Sequence, residues 1–167
     1  CLSRGLGDVY KSQPFPHLPN KVLHIGALLQ NKGKEVFGVI PVPTSLPETL
    51  FLPGSEVRYV RTEDLILSHA ERIFKPYAIT EKVIFCITRN ADIAPAEEGF
   101  EEDFRTQMKK LLRQRTKLAP VRLELSCPIS NHFIQYFCEK LQLGKKQLYV
   151  TSSPMQMHDV FSLQDRL

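Results

Sequence analysis

Lys82-Val83-Ile84-Phe85-Cys86-Ile87-Thr88-Arg89-Asn90-Ala91-Asp92 is the stretch on which the fold turns. Its apolar run from Val83 to Ile87, rich in β-branched and aromatic side chains, reads as a strand buried on both faces. Immediately afterwards the chain turns polar, with Thr88, Arg89, Asn90 and Asp92 supplying a hydroxyl, a guanidinium, an amide and a carboxylate. A central strand that ends this way sets polar groups at the rim of a rigid sheet, where sites on mixed folds tend to lie.

C-terminal to this strand, Phe100, Phe104, Met108 and Leu111 recur every three or four positions and predict the longest helix, over residues 97–118. Acidic Glu97, Glu98, Glu101, Glu102 and Asp103 crowd its start and basic residues fill its later part, the polarity a helix dipole favours. Pro120 closes it, and Val121–Leu125 alternates as a half-exposed strand does. Ser130 caps another helix, with Phe133, Ile134, Phe137, Cys138 and Leu141 facing inward and Gly144 as its stop. Gln147–Val150 reads as a further strand and Met155–Leu163 as a short helix.

N-terminal to the central strand, Arg61–Phe74 predicts one helix with Thr62 as its cap and Leu65, Ile66, Ala70, Ile73 and Phe74 on its apolar face. Glu56–Val60 is a short strand. Lys21–Leu29 and Lys34–Ile40 form a hairpin, because Gly33 in the Asn31-Lys32-Gly33 turn can take the left-handed conformation a short loop demands. Residues 1–20, with Pro14, Pro16 and Pro19 around Phe15, read as an irregular extended arm ahead of a domain over residues 21–167. The order of elements predicts a single α+β domain, a mixed sheet with three or four packed helices.

The length, 167 residues, suffices for one domain with a real core, and 43% hydrophobic with 24% charged residues is the composition of a globular protein. No apolar run is long enough to span a bilayer, and no signal-peptide pattern opens the chain. Because the first residue is Cys1 rather than methionine, the sequence reads as a piece of a longer polypeptide. The net charge of +4 is compatible with a polyanionic partner without demanding one. Cys1, Cys86, Cys127 and Cys138 form no CxxC pair and have no zinc-like histidine spacing. Cys86 and Cys138 fall at apolar positions and read as buried free thiols, which points to the reducing cytoplasm.

No catalytic constellation is visible. His17, His24, His69, His132 and His158 are scattered, with no partner at metal or triad spacing, and no metal site is predicted. Neither GxGxxG nor GxxxxGK[ST] occurs. Two features could meet an anion. One is the strand end: Arg89 offers a forked donor suited to phosphate, with Asn90 and Asp92 as supports, or else Arg89 pins the loop by pairing with an acid. The other is the basic face of the long helix, with Arg105, Lys109 and Arg113, which is either solvated or in contact with a polyanion. From residues alone the chain is an α+β domain with anion-binding potential; the alternative function is a stand-alone anion- or nucleic-acid-binding module without catalysis. The aromatic-and-basic pattern of a single-strand platform is missing, so no specific nucleic acid is expected.

Several segments together resemble the middle (head) domain of bacterial polyphosphate kinase. They are Arg58-Tyr59-Val60-Arg61-Thr62-Glu63-Asp64-Leu65-Ile66, Ile84 to Asp92, Leu112-Arg113-Gln114-Arg115 and Pro120-Val121-Arg122-Leu123-Glu124, with Pro14-Phe15-Pro16 ahead of the hairpin. The resemblance covers residues 14–165. It implies a parent enzyme that reversibly transfers the terminal phosphate of ATP to inorganic polyphosphate through a phosphohistidine, assisted by Mg2+. In that family the reactive histidine lies in C-terminal domains within H-x-K-x-x-x-x-N, and none of the five histidines here is followed by x-Lys. The resemblance therefore implies no catalytic residue in this chain. It implies a lobe that supports dimerisation or higher assembly and borders the phosphate tunnel, with the remaining kinase domains and polyphosphate as partners. ATP and Mg2+ would belong to the parent, which is expected in the cytoplasm, with peripheral membrane association a further expectation.

Overall fold

The computed structural model describes residues 15–90, 119–158 and 160–161, together with the backbone of residues 8–10. The sequence-predicted helix at 97–118 lies outside the described residues. Among the described residues there are eight strands: β1 Asp8–Tyr10, β2 Leu23–Asn31, β3 Lys34–Pro41, β4 Thr49–Leu52, β5 Arg58–Arg61, β6 Ala78–Arg89, β7 Pro120–Leu125 and β8 Leu148–Val150. Three α-helices accompany them among the described residues: α1 Thr62–Ser68, α2 Ala70–Ile73 and α3 Asn131–Leu141. Six strands form one sheet in the order β1-β3-β2-β6-β7-β8, and β4 with β5 makes a separate ribbon. All pairs are antiparallel except β7 with β8, so the sheet is mixed.

The twelve-residue β6 lies at the sheet centre between β2 and β7, as its apolar run predicts. Alternation sends Val83, Phe85 and Ile87 to one face and Ile84 and Cys86 to the other. On the first face α3 lays Phe133, Phe137 and Leu141 over the strands. Rings dominate that layer: Phe133 and Phe137 stack at 4.8 Å and Phe37 meets Phe15 at 5.3 Å. On the second face Ala70 of α2 and Phe74, which caps the C-terminal end of that helix, pack on Ile25, Ile40 and Ile84. Phe74 approaches β3 so closely that a methyl group at Gly38 would stand 2.6 Å from its ring, which is why glycine occupies that position.

The β2–β3 hairpin closes through Lys32 and Gly33 at φ 49° and 75°, the primed turn that matches strand twist. Ser130 caps α3 as predicted, its Oγ accepting from the Phe133 amide at 3.2 Å.

Other expectations need correction. The single helix over Arg61–Phe74 is two helices broken at His69. Ser68 Oγ donates to the Leu65 carbonyl at 2.7 Å, and His69 Nδ1 lies 2.9 Å from the same oxygen. These local bonds compete with the helix ladder. Thr62 is not the cap, because its Oγ1 donates instead to the Pro47 carbonyl at 2.5 Å, and Leu65 is exposed. The stop of α3 is Gln142, left-handed at φ 55°, rather than Gly144. Asp8–Tyr10, within the stretch expected to be irregular, pairs with Phe37–Val39 as an edge strand. Met155–His158 is irregular, and only Val160 and Phe161 are helical in the described part of the last segment. Cys86 is buried as expected, whereas Cys138 is only half-buried.

Candidate functional site

Arg89 ends β6 beside a register shift against β7, where it faces Pro120. Its side chain turns inward and the residue is 9% exposed. The Nε donates to the Leu18 carbonyl at 3.0 Å, while the Arg89 amide donates to Asn20 Oδ1 at 2.8 Å. The Asn90 amide donates to the Ala119 carbonyl at 3.1 Å, and the Lys21 amide to the Ile87 carbonyl at 2.8 Å. The strand end therefore ties the segment ahead of β2 to the residue ahead of β7. Burial lowers the Arg89 pKa, and arginine nonetheless stays charged. Burial first, and the Arg89 charge second, lower the pKa of His17.

Of the sequence-predicted trio, Arg89 and Asn90 stand together at this rim. Asp92 lies outside the described residues, as do Arg105, Lys109 and Arg113 of the basic face. The Nε bond to Leu18 gives Arg89 a bracing role whatever else the guanidinium does.

A second polar cluster was not evident from the sequence. Arg61, at the end of β5, donates from Nε to Glu63 Oε1 at 2.6 Å and from a terminal nitrogen to the Gln156 carbonyl at 2.7 Å. Gln156 Nε2 in turn donates to the Lys21 carbonyl at 2.9 Å. Glu63 is buried, so this is a charge pair held by geometry rather than a rim contact. Shallow clefts flank it, one bordered by Lys21, Pro47, Glu48, Thr62 and Gln156, the other by Ser126 and Thr151–Pro154. Only an acid two positions after an arginine at a strand-to-helix join could have pointed to it.

Two buried titratable groups of the sheet, His24 and Cys86, are poorly suited to act as nucleophiles. His24 is buried with Nδ1 donating to the Val22 carbonyl at 2.8 Å and its ring on Phe85 at 5.4 Å; burial pushes its pKa down to about 4. The Cys86 thiol is pushed up to about 11 by burial, with Glu124 adding to the effect, which leaves it a poor nucleophile near neutrality. His132 sits 2.6 Å from Glu35, and that hydrogen bond raises its pKa on an open surface. Among the described residues no three His, Cys, Asp or Glu side chains are grouped to hold a metal ion.

Residues 8–163 match the family model described as the polyphosphate kinase middle domain. The chain belongs to that family. Polyphosphate kinase from Bacillus anthracis is 31% identical over 169 residues, a region that covers 96% of this chain and 24% of that protein. The Staphylococcus epidermidis polyphosphate kinase is 30% identical, over 96% of this chain and 22% of that protein. The crystal structure of polyphosphate kinase from Porphyromonas gingivalis aligns with a TM-score of 0.61 over 86% of this chain and 21% of that chain, at 17% identity. That likeness confirms the α+β fold. The middle domain described here thus spans about a quarter of the length of the relatives it matches.

Proposed function

We propose that this chain is the supporting lobe of a polyphosphate kinase. The parent transfers the terminal phosphate of ATP reversibly to inorganic polyphosphate through a phosphohistidine in other domains. The observation that carries this reading is the middle-domain match over residues 8–163, joined to relatives named polyphosphate kinase that are about four times as long. The lobe supports dimerisation or higher assembly in a cytoplasmic enzyme and borders the path of the phosphate chain. Residues 21–167 act as its domain, and from the arm at residues 1–20 the strand Asp8–Tyr10 and the side chains of Phe15 and Leu18 join its sheet and core.

The chain's own contribution is position. Arg89 and Asn90 fix the rim of the central strand, and Arg61 fixes the segment around Gln156. We assign Arg89 first, with Asn90 and Asp92, to the border facing the phosphate chain or the partner subunit. The basic face of Arg105, Lys109 and Arg113 is the secondary candidate. The test is an ATP-dependent polyphosphate synthesis assay. The full-length parent turns over and residues 1–167 alone do not, at any Mg2+ concentration. Synthesis by residues 1–167 alone, or a parent polypeptide without H-x-K-x-x-x-x-N downstream, overturns the reading.

A further inference from the structure

We infer that the surface around the Glu48–His158 pair docks a part of the parent polypeptide outside residues 1–167, one that presents an apolar face with a basic side chain. The inference rests on the reading of this chain as one lobe of a longer kinase. His158 Nδ1 donates to Glu48 Oε1 at 2.9 Å, which brings the chain at Glu48 against the chain at His158 although 110 positions separate the pair. Within three positions of one or other member of the pair, Leu46 is 48%, Met157 54%, Val160 39% and Phe161 75% exposed. Large apolar side chains left open on both chain segments that the pair joins mark a place where another surface belongs.

The polar part of the patch is incomplete in a way that selects the occupant. One oxygen of the Glu48 carboxylate is bonded to His158; the other, Oε2, is shut away from solvent with no hydrogen-bond partner, and so is Thr49 Oγ1. Native assemblies seldom leave a buried carboxylate oxygen without a donor. Glu63, in the same cleft wall, already has Arg61, whereas Glu48 has only an imidazole. Turning the Glu48 carboxylate toward the cleft that it lines with Pro47, Thr62 and Gln156 presents Oε2 to an incoming guanidinium or ammonium group. The matched region is 24% of the Bacillus anthracis relative, so most of a polypeptide of that kind is available to cover the patch.

The test is amide hydrogen exchange on the full-length parent at neutral pH. Peptides over residues 44–49 and 156–161 are protected in the wild type. Phe161→Asp speeds their exchange about tenfold, together with that of a basic stretch outside residues 1–167. Glu48→Gln keeps the size of the side chain, removes its charge, and produces the same pattern to a smaller extent. Glu35→Gln, which alters the His132 pair instead, changes neither region. Phe161 is so exposed that its replacement leaves the core peptides unchanged, which separates docking from misfolding. Exchange that rises only within residues 1–167 overturns the inference. So does remote protection that vanishes on dilution to the monomer, which makes a second copy the occupant. Phosphate transfer is assayed on the same samples. A wild-type parent without it overturns the proposed function and leaves the exchange data to decide the docking surface.

Discussion

Phe85 and Phe137 meet at 5.0 Å inside the sheet layer and both are fully buried, whereas Phe51 and Tyr59 on the β4–β5 ribbon lie 6.4 Å apart with Tyr59 49% exposed. The two regions use the same residue types and differ in what surrounds them. The sheet is covered on one face by α3 and on the other by α1 and α2, so the apolar residues of its central strands β2 and β6 are closed in by the domain itself. The ribbon has two strands, and a two-stranded hairpin is marginal in water without further packing. What holds it locally is polar: Arg58 donates to the Pro53 carbonyl at 2.9 Å, and the Thr62 amide to the Glu48 carbonyl at 2.9 Å. The sheet is thus stable on internal terms, and the ribbon draws part of its order from whatever lies against it.

Truncating the ring that bridges sheet and helix tests this contrast most severely. Phe137→Ala should cost about 3–5 kcal/mol in denaturant unfolding, because it leaves a cavity among rings that have no room to collapse. Acid is the next largest probe. His24 is held neutral in the folded state, with a pKa of about 4 against 6.5 in the unfolded chain. The unfolded chain therefore binds the extra proton first, and stability present above pH 6.5 is lost as the pH falls toward 4. The loss is about 3 kcal/mol when complete. His24→Gln should flatten this part of the pH–stability curve, and a curve unchanged by the substitution would remove His24 from the account.

Arg89→Ala tests the seam between the sheet and the segment at residues 17–20. It deprives the Leu18 carbonyl of its donor and should cost about 1–3 kcal/mol. If the unfolding midpoint is unchanged while the full-length enzyme loses activity, Arg89 is a contact for phosphate or a partner more than a brace. Tyr59→Ala on the ribbon should have the smallest effect, below about 1 kcal/mol, since roughly half the side chain is already in water. A cost matching that of Phe137→Ala would erase the distinction between the two regions.

The sheet was legible because periodicity reports burial. Val83–Ile87 could only be an interior strand, and the primed turn at Lys32-Gly33 fixed the hairpin beside it. The ribbon was half missed: Pro47 and the Pro53-Gly54 pair look like breakers, yet they bracket β4 without entering it. The break at His69 was hidden because it comes from side chains of Ser68 and His69 competing for the Leu65 carbonyl, which leaves the apolar spacing intact. At the candidate site, residue type identified Arg89 as special, but which way its side chain turns is a tertiary property. Arg61 and Gln156 meet across 95 positions, and no local pattern encodes such a meeting.

One consequence of the Gln156 bond to the Lys21 carbonyl is mechanical. The backbone just ahead of β2 and the backbone beyond β8 are stapled side by side. Tension arriving from the C-terminal side strains that clamp before it reaches β8, the last strand of the sheet.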